Sequence, residues 1–72
     1  MVFTDYLLTV YTQDGRTLYN TFETEDEARA AVDTYGKSEL GYFGNLCKAQ
    51  YSKAYWRIGI KEYDSVKCLF TF

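Results

Sequence analysis

Histidine and proline are absent from this chain of 72 residues, and cysteine occurs only twice. Without histidine, the chain lacks the usual acid–base group at neutral pH and the commonest metal ligand in proteins. A serine or cysteine nucleophile activated by an imidazole is therefore excluded, and two distant cysteines cannot supply a zinc site. No GxxxxGK[ST] or GxGxxG motif is found. The sequence thus predicts no enzymatic activity, no cofactor and no metal.

Long apolar runs are also missing. No stretch approaches the roughly 20 apolar residues that cross a membrane, and the N-terminus MVFTDYLLTV lacks the basic segment and cleavage site of a signal peptide. We therefore expect a cytoplasmic protein with no membrane partner. Since there is no internal repeat, linker or low-complexity segment, residues 1–72 are predicted to form a single compact domain.

What the chain does contain suffices for a small core, since 47% of its residues are hydrophobic and 19% are aromatic. Its charge is unevenly distributed. Residues 1–35 carry seven acids and two bases, whereas residues 36–72 carry six bases and three acids. Such a chain can steer charged partners or pair with itself. The alternative is that the uneven charge has no partner and that the acidic and basic residues simply form two solvated faces that keep the protein soluble.

The N-terminal part predicts a β-hairpin. Residues 4–12 and 16–23 are rich in threonine, tyrosine and aliphatic residues, and an Asp-Gly turn signal separates them. A two-residue loop would divide the apolar side chains between the two faces of the sheet. A three-residue loop over 13–15, with glycine in the left-handed conformation, pairs Val10 with Leu18 and gathers them on one face. We favour the three-residue loop.

A helix is predicted next. Thr24 followed by Glu27 forms a capping box, and the acidic residues around it suit the positive end of a helix dipole. We expect the helix to run from about Glu25 to Tyr35 and to end at Gly36 as a left-handed cap. Its apolar stripe consists of Ala28, Ala31, Val32 and Tyr35.

The remaining segments alternate between apolar and polar residues in the manner of strands. We expect a hairpin in which a loop over 63–65 joins the strand 55–62 to the strand 66–72 and pairs Ile60 with Cys68, Ile58 with Phe70 and Trp56 with Phe72. Two glycines flank Tyr42-Phe43, which indicates an irregular loop. A short additional strand is expected around 47–51.

The two cysteines are expected to be reduced thiols in the core, with a disulfide as the alternative. If the strand around Cys47 lies beside 55–62, Cys47 and Cys68 flank that central strand from opposite sides. Because neighbouring strands are about 4.8 Å apart, the two Cα atoms would then be about 9–10 Å apart. That separation exceeds the reach of a disulfide.

These elements predict an α+β fold, a two-layer ββαββ(β) arrangement with one helix packed on one face of an antiparallel sheet. The element order resembles that of many small two-layer modules, including the bacterial immunoglobulin-binding domains. This resemblance covers the order of elements and implies no residue roles, since a fold does not fix a function.

Binding is the predicted class of function, because eight tyrosines are many for a chain of 72 residues and tyrosine is enriched at protein interfaces. Tyr11 and Tyr19 are expected on the sheet face without the helix, with Tyr55, Arg57, Lys61, Lys67 and Leu69 on the same face of the second hairpin. For each aromatic side chain considered alone, the alternative to partner binding is ordinary packing against side chains of neighbouring strands. The candidate partner-binding residues are Tyr11, Tyr19, Glu23, Glu25, Asp26, Glu27, Asp33, Tyr42, Phe43, Tyr55, Arg57 and Lys61.

Three functions follow as hypotheses. The first is a protein-binding module that inhibits or regulates a larger host complex through an acidic and aromatic surface. In size and composition the chain resembles the small anti-host and anti-defence proteins of phages and mobile elements. The second is a self-associating structural protein, such as a homodimer. The third is a single-stranded nucleic-acid binder that stacks bases on sheet tyrosines and holds phosphates with Arg57, Lys61 and Lys67, although the pI of 4.9 disfavours it.

Overall fold

The computed structural model describes residues 1–55 and 59–72, and the side chains of all of these except 54, 55 and 60. Four strands and one helix follow one another as β1 (Phe3–Tyr11), β2 (Thr17–Phe22), α1 (Glu25–Gly36), β3 (Phe43–Tyr55) and β4 (Ile60–Thr71). The strands form one antiparallel sheet in the order β2-β1-β3-β4. The predicted α+β class with one helix on an antiparallel sheet is confirmed. In the described part of the chain, no helix has the length and apolar character to cross a membrane.

The first hairpin has the predicted register. Val10 pairs with Leu18 across β1 and β2, and the backbone N–H of Thr12 donates to the carbonyl of Arg16 at 2.9 Å, which closes a three-residue loop. Gly15 has a φ of 88°, a left-handed conformation that a residue without a Cβ adopts at little cost. The local turn chemistry therefore sets which side chains reach the core.

The helix begins as predicted and ends differently. The Thr24 hydroxyl accepts a hydrogen bond from the backbone N–H of Glu27 at 3.3 Å. The expected left-handed cap at Gly36 is wrong, because Gly36 belongs to the last helical turn and the cap is Lys37, whose φ of −86° is right-handed. The N–H of Lys37 donates to the carbonyl of Asp33 at 3.0 Å, and the N–H of Ser38 donates to the carbonyl of Tyr35 at 3.1 Å. Those bonds satisfy the helix end without a left-handed residue.

The core lies between the helix and the sheet. Leu8 and Val10 of β1 and Leu46 of β3 pack against Ala28 and Val32 of the helix, and all five are buried. Ala28 and Val32 have short side chains, which lets the helix pack close to the sheet. We call this side of the sheet the helix side and the opposite side the open face.

The second hairpin differs from its predicted arrangement. The segment 63–65 is no loop: it lies within β4, where Ser65 pairs with Gln50 and Tyr63 with Tyr51. Two register shifts place Ser52 and Asp64 outside the pairing, and the Ser52 hydroxyl donates to the Asp64 carboxylate at 3.0 Å. These bulges let the strand continue through residues that locally favour a turn.

Several predicted partners change in consequence. Phe70 pairs with Leu46, Ile60 with Tyr55 and Cys68 with Cys47, in place of the predicted pairings. The backbones of Gly44 and Phe72 exchange two hydrogen bonds of 3.0 Å. Leu69 packs against the core cluster on the helix side, so its expected place on the open face is wrong. The predicted strand positions of Trp56, Arg57 and Ile58 lie outside the described residues.

The expected separation of the two cysteines is also wrong. Cys47 and Cys68 are direct partners on neighbouring strands, with no strand between them. Both are free thiols, as predicted, but Cys68 is exposed and does not belong to the core. The prediction failed because it assigned β3 too short a length and started the last strand after residue 65.

Candidate protein interface

The open face carries the largest exposed aromatic side chains of the sheet. Side chains alternate between the two sides of a strand, so the buried Leu8 and Val10 place Tyr11 on the open face, and pairing with Thr9 places Tyr19 there too. Tyr19 is 76% exposed. The predicted position of both tyrosines away from the helix is confirmed.

Phe43 joins these tyrosines in a patch. It is the first residue of β3 and pairs directly with Tyr11, with 5.4 Å between the ring centroids and 31° between the ring planes. Tyr19 lies diagonally across from Tyr11, a position about 7–8 Å away that large side chains can bridge. We call Tyr11, Tyr19 and Phe43 the aromatic patch. The expectation that Phe43 lies in an irregular loop is wrong, because pairing with β1 makes this segment a strand.

Tyr42 lies on the other side. Its ring meets that of Tyr35 edge to face, with 5.2 Å between the centroids, and it packs half-buried against the core cluster. Tyr42 and Phe43 are consecutive and extended, so their side chains point to opposite sides. The structure thus separates Tyr42 from the aromatic patch.

The acidic candidates are likewise separated from the patch. Glu25, Asp26, Glu27 and Asp33 belong to the helix, which covers the opposite side of the sheet. Glu25 is engaged by Arg29, with 3.3 Å between Oε2 and Nε. Arg29 also lies over the ring of Phe70, 4.9 Å from its centroid. The acidic helix residues and the aromatic patch therefore form two surfaces in place of the single one expected.

A buried ion pair occupies the opposite end of the open face. Asp5 of β1 is only 4% exposed, and its Oδ2 accepts hydrogen bonds from Lys61 Nζ at 2.8 Å and from the Tyr63 hydroxyl at 3.1 Å. The hydrogen bond to Asp5 raises the pKa of Lys61. Burial raises the pKa of Tyr63, and its hydrogen bond to Asp5 adds to the rise.

Aromatic rings enclose this pair. Tyr51 is buried, stacks on Phe3 with 5.4 Å between centroids, and meets Tyr63 edge to face at 5.7 Å. Lys61 Nζ lies 5.2 Å from the centre of the Tyr51 ring. Beside the pair, a cleft of about 480 Å³ opens toward Glu23 at the end of β2. Of the acidic candidates, Glu23 is the one that the structure brings to the open face.

Sequence reasoning missed Asp5 and misplaced the cations. The available signal was an acidic residue at a strand position between the apolar Phe3 and Leu7 on the same side. The hairpin predicted over 55–72 would also make Lys61 and Lys67 cross-strand neighbours, and that expectation is wrong because both lie in β4. Lys67 instead pairs with Lys48, on the helix side.

Two candidates lie outside what the structure describes, namely Arg57 and the side chain of Tyr55. Among the described residues, no three cysteine, aspartate or glutamate side chains converge in a way that could hold a metal ion. The chemistry on the open face is therefore that of an aromatic patch at one end and a neutralised ion pair at the other.

No protein-family model, curated protein or solved structure matches this chain.

Proposed function

We propose that this chain is a non-enzymatic protein-binding module and that the open face is its binding surface. The observation that supports it most directly is the aromatic patch, in which Tyr19 and Phe43 are 76% and 53% exposed on a side of the sheet that no helix covers. Rigid aromatic side chains of this kind are the usual anchors of protein interfaces.

The total surface of the chain supports the same proposal. A folded monomer of 8.4 kDa exposes about 4,600 Å², whereas this chain exposes 5329 Å². Its radius of gyration is 13.3 Å, against about 11 Å for a compact domain of this length. The surplus of about 700 Å² follows from this extended shape, which leaves more sheet surface available to a partner than a compact domain would.

The chemistry of the open face favours an apolar partner surface. Elsewhere on the open face lie Leu7, Val66 and threonines. Asp5 and Lys61 neutralise each other, and Glu23 lies at the edge of this face, at the end of β2. A surface with so little net charge can be covered by an apolar sheet or helix face without leaving a charge buried and unpaired. A second copy of the chain presents such a surface.

The same placement disfavours nucleic acid. Lys61 is held by the Asp5 carboxylate, and Lys67 pairs with Lys48 on the helix side. Of the cations proposed to hold phosphates beside stacked bases, the two that the structure describes are thus either neutralised or on the other side from the tyrosines. An inhibitor or regulator of a larger complex remains a proposed role of this module, in which the acidic helix residues act as steering charges at a distance from the anchors.

The first experiment is sedimentation equilibrium of the wild-type chain from micromolar to millimolar concentration, beside a Tyr19→Asp/Phe43→Asp double variant. Leu40→Asp is the matched control, because Leu40 is 65% exposed but lies in the connection between α1 and β3. We expect a reversible dimer that the double variant loses and the control keeps.

If the wild-type chain is monomeric, the partner is a different protein. A photo-crosslinking amino acid at position 19, irradiated in an extract of the cells that make the chain, must then give a nuclease-resistant protein adduct that position 40 does not give. Equal adducts from both positions, no adduct, or an adduct removed by nuclease would refute the proposal.

A further inference from the structure

The two cysteines of the chain are direct neighbours across two strands. Cys47 of β3 and Cys68 of β4 are register partners in an antiparallel pair, and both are free thiols. Directly opposite residues in such a pair have Cα atoms about 4.5 or 5.5 Å apart, depending on their hydrogen-bonding position. Either value lies within the range of about 4.4–6.8 Å that disulfides span. A register shift between Leu46 and Cys47 adjoins the pair and leaves Leu69 without a cross-strand partner. The pairing of Cys47 with Cys68 therefore brings the two Cα atoms to a separation that a disulfide can span.

The two thiols differ in their access to solvent. Cys68 is exposed, whereas Cys47 is 7% exposed and its Sγ donates a hydrogen bond to Asn45 Oδ1 at 3.5 Å. Burial raises the pKa of Cys47 to about 11, and the adjacent Cys68 side chain adds to the rise. An oxidant in solution therefore reaches Cys68 first, and Cys47 is positioned as the resolving thiol.

We propose that Cys47 and Cys68 form a reversible intramolecular disulfide by exchange with a low-molecular-weight disulfide such as oxidised glutathione. The Cys68 thiolate attacks one sulfur of glutathione disulfide, which breaks its S–S bond and releases one glutathione thiolate. The Cys47 thiolate then attacks the Cys68 sulfur of the mixed disulfide and releases the second glutathione thiolate. Both cysteines are oxidised, and the two protons that they lose are taken up by the two released glutathione thiolates, so the small disulfide is reduced to two thiols.

Such a bond would lie in the middle of the open face. Cys47 pairs with Leu7 of β1 on one side and with Cys68 of β4 on the other. The disulfide would therefore join β3 to the edge strand β4 about midway along the strands. By restricting the unfolded chain, a cross-link over this separation lowers the unfolding equilibrium constant about a hundredfold. The proposal stands whether or not the open face binds a protein.

The test is a redox titration of the full chain in mixtures of reduced and oxidised glutathione, quenched with acid and analysed by mass spectrometry. We expect the wild type to lose two hydrogens, and a non-reducing digest to join the peptides that contain Cys47 and Cys68. Cys47→Ser is expected to stop at a mixed disulfide with one glutathione on Cys68. Cys68→Ser is expected to react far more slowly.

Denaturation in urea supplies the second measurement. The oxidised wild type should unfold with an equilibrium constant about a hundredfold lower than the reduced wild type, and Cys47→Ser should show no such difference between the two conditions. Wild-type chain that accumulates glutathione adducts or intermolecular dimers in place of the internal bond would overturn the proposal. An internal bond that forms only after the chain is unfolded would overturn it as well.

Discussion

Removing Lys61 should destabilise the fold more than neutralising Asp5, although both changes break the same ion pair. The reason is the difference in burial: the Asp5 side chain is 6% exposed and the Lys61 side chain is 30% exposed. In Lys61→Met, the carboxylate stays buried and retains the hydrogen bond from the Tyr63 hydroxyl at 3.1 Å. In Asp5→Asn, the partly exposed Lys61 ammonium can turn toward water, and a neutral amide occupies the buried position.

The magnitudes follow from this asymmetry. Breaking a buried pair by removal of one partner costs about 3–5 kcal/mol. Since Lys61 is partly exposed, we expect the lower end for Lys61→Met, about 3 kcal/mol. For Asp5→Asn we expect about 1–2 kcal/mol, the cost of weakened hydrogen bonds to a group that remains polar. The double variant should lose less than the sum, because neither change then leaves a buried charge unpaired.

The assay is urea denaturation followed by far-ultraviolet circular dichroism for the wild type, both single variants and the double variant. At pH 7 the order of stability should be wild type, Asp5→Asn, then Lys61→Met. Lys67→Met is the matched control and should be neutral or slightly stabilising, since Lys67 pairs with Lys48.

An equal or larger loss of stability in Asp5→Asn than in Lys61→Met at pH 7 would refute this reasoning. It would mean that the Asp5 carboxylate reaches water in solution, contrary to its burial beneath Lys61 and the surrounding aromatic rings.

Three further predictions concern stability. The pKa values of Cys47, at about 11, and of Lys61 are both raised in the folded chain, so above about pH 9 the folded state binds more protons than the unfolded state. Stability under reducing conditions should therefore fall by about 2 kcal/mol between pH 9 and 11, and Cys47→Ser should flatten the decline measured by urea denaturation. Thr24→Ala removes the helix cap and should lower the free energy of unfolding by about 1 kcal/mol, whereas Thr24→Asp should retain most of it. A Cβ at Gly44 would lie 1.9 Å from the carbonyl oxygen of Thr9, so Gly44→Ala should cost about 3 kcal/mol or more by the same measurement; a loss below 1 kcal/mol would contradict the close approach of β1 and β3.

The features predicted correctly from the sequence are those decided by neighbours along the chain. The loop over 13–15 sets the register of the first hairpin through one glycine, and the Thr24 cap marks the start of the helix. Both signals act within a few residues, so they need no knowledge of what packs against them. The position of Tyr11 and Tyr19 on the open face followed directly from that register.

The second hairpin could not be predicted in the same way, because its register depends on a distant strand. Gly44 indicates a loop when only its neighbours in the sequence are considered. In the structure it lies in β3, and because glycine has no Cβ, β3 can approach β1 closely at this point. The turn signal at 63–65 is overridden in the same manner, since pairing with β3 satisfies the backbone there and bulges absorb the mismatch. When a strand pairs over a long sequence separation, its register depends on the packing of all the strands in the sheet.

By itself, then, the sequence determined a two-layer scaffold with one covered and one uncovered side, because alternation and turn chemistry act locally. The tertiary structure alone decided that Asp5 is buried under Lys61, that Cys47 faces Cys68, and that the acidic helix lies away from the aromatic patch. The first two are contacts between residues distant in the chain, and the third follows from the packing of the helix on the side of the sheet opposite the aromatic patch. A shift of one residue in the register of β4 would remove the first two.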